Sequence, residues 1–198
     1  MRAGRRALVL VLVLAPALVG AASPDDAVAV VKKTLDAALA IAHAGGTREE
    51  NLAALHGVAR GFLDTRTMGR RAVGDVLAAQ PREQQDAYLA LFDDVMVRAY
   101  LQKLLLFRDP HFEYGEPRRR DQAVIVPTRI VTAKDEYRVD YEMRERDGHW
   151  VATDVIVEDI SLTDNYKSQF STLLRDRSFA ELLDLMRKKA RPVPEGPA

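Results

Sequence analysis

Among the side chains of this sequence that could do chemistry are four histidines, adjacent acid pairs, one aspartate on an apolar strand and a run of three arginines. His43, His56, His111 and His149 are scattered, and none stands at a spacing that would set two ligands on one metal ion. No Gly-x-Ser-x-Gly, phosphate-binding loop or His-Glu-x-x-His occurs. With no cysteine there is neither thiol chemistry nor a disulfide. Asp93-Asp94 reads as the solvated side of a long helix and Glu158-Asp159 as the end of a strand. Asp154 is the carboxylate to watch: buried, it could act as a base with a raised pKa, or as a structural acid bonded to backbone. Arg118-Arg119-Arg120 reads as a hairpin tip, either solvated or able to meet anionic head groups or an acidic surface. The inventory predicts neither catalysis nor a metal or cofactor.

The elements that position these groups follow from periodicity. Asp25 to Ala44 repeats apolar residues at helical spacing up to Gly45-Gly46. Thr47 with Glu50 forms a capping box for a second helix, and Asp64 can cap a short third one. Pro81, at a first helical position, opens the longest helix, which runs to about Phe107 with a broad apolar face. The period then changes to two. His111–Glu116 is a short strand, residues 117–121 a turn, and Ala123–Thr132 a strand whose Pro127 predicts an edge or a bulge. Tyr137–Arg146 alternates cleanly, and Asp147-Gly148 is a hairpin signal. In the next strand, from Trp150 to Ile160, Val151, Thr153, Val155 and Val157 are expected on one face and Trp150, Ala152, Asp154 and Ile156 on the other. Ser161 or Thr163 then caps a helix carrying Tyr166, Phe170, Leu173 and Leu174, and Phe179–Lys189 is a last helix. The fold class is α+β: helices packed on one face of a twisted, mainly antiparallel sheet of about four strands, cone-like with an apolar cavity.

At 198 residues and 47% hydrophobic, the chain is expected to be one domain with a sizeable core. It opens with a basic MRAGRR, an apolar run and small residues up to Ala22, the pattern of a cleaved secretory signal peptide over 1–22. The apolar run contains Pro16 and falls short of the ~20 residues of a membrane span. Its removal takes three of 29 basic groups and none of 29 acidic ones, leaving a net charge of −3 that does not suggest a nucleic-acid partner. The expectation is a monomeric exported domain over 23–190, held by its core alone, with a disordered tail at 191–198.

Three stretches carry a family resemblance. DVIVEDISLTDNYKSQF resembles the end of the domain in the MlaC or toluene-tolerance (Ttg2-type) periplasmic lipid carriers, among them the hopanoid-associated HpnM relatives. There a strand of the form W-x-V-x-D-V-x-V-E-G-V-S-L leads to N-Y-R-S-Q-F. Asp159 stands where that family has Gly, which puts a corner that Gly adopts freely on a residue that adopts it less readily. Lys167 replaces the usual Arg. Phe62, Asp64, Met68 and Gly74 echo a second motif, and Pro81, Glu83, Gln84, Phe92, Val97, Arg98 and Tyr100 a third.

The resemblance implies a periplasmic carrier that shuttles phospholipid between an outer-membrane lipoprotein complex and an inner-membrane ABC transporter, without catalysis or cofactor. An HpnM-like member would handle hopanoids. The lipid-binding residues this predicts are Phe92, Val95, Met96, Tyr100 and Leu104 on the long helix, facing Val124, Val126, Ile130, Tyr137, Val139, Tyr141 and Met143 on the sheet. Met adapts its shape to a ligand, and Tyr can set its hydroxyl at a wet mouth. Such apolar stripes also suit an ordinary core. An envelope interaction module with no cavity, and a small enzyme using Asp154 as base, therefore stay open.

Overall fold

The structure, a computed structural model, describes residues 23–104 and 110–190. The leader at 1–22, the expected end of the long helix at Leu105, Leu106 and Phe107, and the tail at 191–198 lie outside the described residues.

Local chemistry sets the helix starts. Helix α1 (Pro24–His43) begins in a capping box in which the Asp26 N–H donates to Ser23 Oγ and the Ser23 N–H donates back to Asp26. Helix α2 (Arg48–Phe62) has the predicted Thr47–Glu50 box. Asp64 caps α3 (Thr65–Val73) by accepting from the Thr67 N–H at 2.9 Å, and a 3₁₀ turn (Gly74–Val76) follows. Helix α4 (Arg82–Leu104) starts one residue after Pro81, whose carbonyl accepts from the Gln85 N–H at 3.1 Å. Ser161 caps α5 (Leu162–Leu173), and Ser178 forms a further box with Glu181 ahead of α6 (Phe179–Ala190).

The sheet has six strands: β1 (His111–Tyr114), β2 (Arg118–Arg120), β3 (Ala123–Val131), β4 (Glu136–Arg146), β5 (His149–Val157) and β6 (Ile160–Ser161). Every pairing is antiparallel, in the order β1-β3-β4-β5-β6, with β2 also on β3. The count exceeds the expected four for two reasons. The arginine run pairs with Ala123–Ile125 rather than forming a turn, so the turn moves to Asp121-Gln122, with Asp121 at φ 53°. Ile160–Ser161 folds back on β5 through Glu158 and Asp159, both at positive φ. The corner that lacks its Gly is thus left-handed, carried by two acids.

Two readings of strand pattern are corrected. Pro127 lies in an inner strand, without a bulge, because the neighbouring chain is interrupted opposite it. Between β1 and β2 only the Pro127 carbonyl is used, accepting from the Gly115 N–H at 2.9 Å, so the missing N–H is not needed. Gly115 leaves room there, since a Cβ would be crowded 3.2 Å from Pro127 Cβ. In β5 the alternation breaks: Glu142 pairs with Asp154 but Met143 pairs with Ala152, which leaves Thr153 as the extra residue of a bulge. Trp150 and Ala152 therefore share a face with Val155 and Val157, not with Asp154.

Helix α1 lies over β3 and β5, α2 and α3 reach β5, and α5 packs on α3, β5 and β6. Helix α4 packs mainly on α2, α3 and α6. Its close approach to α3 is eased by Gly69, where a Cβ would be crowded 3.1 Å from the Phe92 ring. One contiguous core runs from α1 through α3, α4, α5 and α6 to the sheet.

Candidate functional site

Register assigns the sheet residues to faces. Phe112, Ile130 and Tyr137 form one row across the strands, and Tyr114, Thr128, Val139 and Val157 the next. Val126, Tyr141 and Val155 follow, then Val124, Met143 and Ala152, then Glu145 with Trp150. All seven predicted sheet residues (Val124, Val126, Ile130, Tyr137, Val139, Tyr141 and Met143) share this inner face, as alternation in β3 and β4 requires. Six are buried and Tyr137 is half-buried. Phe92 and Met96 of α4 join the same core, while Val95 is buried outside it. The side chains of Tyr100 and Leu104 lie outside the described residues.

Sequence reasoning missed part of this face. Phe112 and Tyr114 belong to it, and their period of two in a four-residue strand was the available signal. Phe62 sets its ring edge-on to Tyr141 at 5.4 Å, at a position read only as part of a motif.

Among the described residues, two polar atoms of the inner face are buried without a hydrogen-bond partner, the Tyr114 hydroxyl and Trp150 Nε1. Burial and then the Asp36 carboxylate push the Tyr114 phenol up to about 12, so it stays a protonated donor. Burial, followed by the neighbouring Tyr114, raises Tyr141 as well.

The outer face carries charge. Glu142 and Asp154 are adjacent in register and only 5% and 2% exposed. Arg71 donates to Glu142 Oε1 at 3.4 Å and to the Thr153 carbonyl at 3.2 Å, with its other nitrogen 3.8 Å from Asp154. Arg120 donates to the second Glu142 oxygen, and Thr153 Oγ1 donates to Oε1 at 3.1 Å. Burial pushes Glu142 up, but Arg120, Arg71 and Thr153 together outweigh it and hold the carboxyl below its ordinary value. Asp154 accepts from the Val155 N–H at 2.9 Å, the Thr163 N–H at 3.2 Å, Thr163 Oγ1 at 2.9 Å and Ser161 Oγ. Val155 lies on β5 and Ser161 and Thr163 at the start of α5, which makes Asp154 the tie between strand and helix.

Asp93 corrects another expectation. It is not solvated: it accepts from Thr65 Oγ1 at 2.7 Å and Arg60 Nε at 3.0 Å, which binds α4 to α2 and α3. His56 lies 3.8 Å from Asp93 and 3.7 Å from Asp94, close enough for three metal ligands. The Arg60 guanidinium, however, already holds the Asp93 oxygen nearest His56.

This arrangement, an apolar face on a twisted antiparallel sheet roofed by helices, has a match among solved structures. The phospholipid-binding protein from Ralstonia solanacearum, solved in complex with a phospholipid, superposes with a TM-score of 0.76 at 21% identity, over 83% of this chain and 97% of that one. The likeness shows the fold. At the level of sequence, the family described as MlaC protein matches residues 30–188, a span that takes in α2 through α5, every strand and most of α1 and α6. With the three motifs now placed on one fold and that span matched, the chain belongs to the MlaC family.

Proposed function

We propose that this chain is a non-enzymatic periplasmic carrier that holds the acyl chains of a phospholipid between its inner sheet face and its helices. The observation that carries the reading is the family match over residues 30–188. The phospholipid in the similarly folded Ralstonia protein supports the ligand class. The acyl chains lie against Val124, Val126, Ile130, Tyr137, Val139, Tyr141 and Met143, with Phe92, Met96, Tyr100 and Leu104 supplying the helix wall. Among the described residues no helix is long and apolar enough to cross a membrane. Residues 1–22 serve as the export signal.

Magnitudes shape the mechanism. Two acyl chains hold roughly 30 methylenes at about 0.8 kcal/mol each, so gross burial is on the order of 20 kcal/mol. That figure forbids release into water. The carrier needs only to match the burial a bilayer offers and hands its lipid over while docked, receiving and delivering at outer- and inner-membrane complexes.

Mass spectrometry of an organic extract of the purified protein tests this. Diacyl phospholipid near one per chain is the expected result, and a hopanoid would change the ligand class. Extracts without lipid, including after incubation with vesicles, would sink the carrier and favour an interaction module.

A further inference from the structure

The arginine run resolves by strand alternation. Arg118 and Arg120 turn to the outer face, where they pair with Asp140 at 3.4 Å and with Glu142. Arg119 stands opposite Val124, so it belongs to the inner face at the hairpin end. Glu145, opposite Trp150, ends the same face on β4. Arg119, Glu145, Trp150 and Gln122 line one pocket of about 440 Å³, which the buried core residue Val124 also lines. Arg144 and Arg146 also border it but lie within ion-pair reach of Glu142 (3.6 Å) and Asp64 (3.9 Å).

Arg119 and Glu145 thus present opposite charges to one pocket without pairing with each other or with another described residue. The buried indole N–H of Trp150 beside them has no acceptor among the described residues. A charge pair held apart at the end of an apolar face matches a ligand with a hydrocarbon tail and separated charges of both signs at its head. We infer that this rim is a head-group site for a zwitterionic phosphoethanolamine-type lipid, with the Arg119 guanidinium taking the phosphate and the Glu145 carboxylate taking the ammonium. Arginine suits the first role because its planar fork meets phosphate oxygens in pairs. The inference rests on the carrier reading, which puts the tails on the same face.

Trp150 is the sole tryptophan, so its emission reports directly on the pocket. Binding of phosphatidylethanolamine and phosphatidylglycerol of identical short chains, and of phosphoethanolamine alone, would be followed by that emission in the purified protein. The expected result is a preference of about fivefold for phosphatidylethanolamine over phosphatidylglycerol, the scale of one partly exposed ion pair. Glu145→Gln should bring the ratio to about one, and Arg119→Gln should weaken both lipids about fivefold, with Arg119→Lys recovering part of the loss. Equal binding of the two lipids by the unaltered protein, or indifference to Arg119→Gln, would overturn the head-group site and leave the carrier intact. Phosphoethanolamine binding as tightly as the lipid would overturn it in favour of a site for soluble zwitterions. Binding of no lipid at all would remove the carrier reading and this site with it.

Discussion

The two faces of the one sheet are built on opposite principles. The inner face is held by shape: Val126, Tyr141 and Val155 or Val124, Met143 and Ala152 meet in rows and pack under the helices. The outer face is held by charge: Glu142 and Asp154 are as buried as the core but surrounded by Arg71, Arg120, Thr153, Thr163 and Ser161. Burying two carboxylates side by side is tolerable only because each has several donors. The lesson concerns division of labour. If, as proposed, the inner face accepts a flexible apolar ligand, the rigid polar lattice is kept apart from it on the other side, tying α3, β4, β5 and α5 together.

That contrast can be broken from either side. The largest effect is expected at Asp154→Ala, which leaves Ser161, Thr163 and a buried N–H without an acceptor. Urea unfolding should show a loss of about 3–5 kcal/mol, and a loss under 1 kcal/mol would mean that Asp154 is no tie. On the inner face Met143→Ala removes a fully buried side chain and should lower stability by about 3 kcal/mol, equally at pH 5 and pH 7. The lipid content of the same variant, read by mass spectrometry, should fall if that face meets the acyl chains.

Glu142→Gln sharpens the difference through pH. The Glu142 carboxyl is held below its ordinary value in the fold, so its contribution is fully present above the unfolded-state value near 4.5 and is lost as pH falls through the lower, folded value. The unaltered protein should therefore lose stability on acidification across that window. Glu142→Gln should be about 2 kcal/mol less stable at pH 7 and show a flatter acid limb. Parallel acid limbs would place the pH dependence elsewhere. The smallest effect belongs to Asp159→Gly at the β5–β6 corner. Relief of the positive φ outweighs loss of an exposed pair with Arg138 and should raise stability by under about 1 kcal/mol, read as a small increase in unfolding midpoint.

How much of this was legible in the sequence depended on range. The Thr47–Glu50 and Asp64 caps and the Asp147-Gly148 turn, with φ of 49° and 79°, were readable because each acts within a few residues. The inner face of β3 and β4 was readable because alternation there is unbroken. On β5 the same rule failed after one extra residue, Thr153, and misassigned Trp150 and Ala152. Asp93 looked solvated because its partners, Arg60 and Thr65, are distant in sequence and belong to other helices.

The sequence by itself determined the order of elements, where most helices start, the α+β class and the family, since capping, periodicity and motifs are written in adjacent residues. Only the tertiary structure decided that the arginine run is a strand, that Pro127 sits inside the sheet opposite a break, and that α1 roofs the strands while α4 packs mainly on other helices. Those outcomes depend on which distant segments bury one another's apolar surface and satisfy one another's donors. A local pattern is compatible with several such partnerships, and the choice among them is made by the whole fold at once.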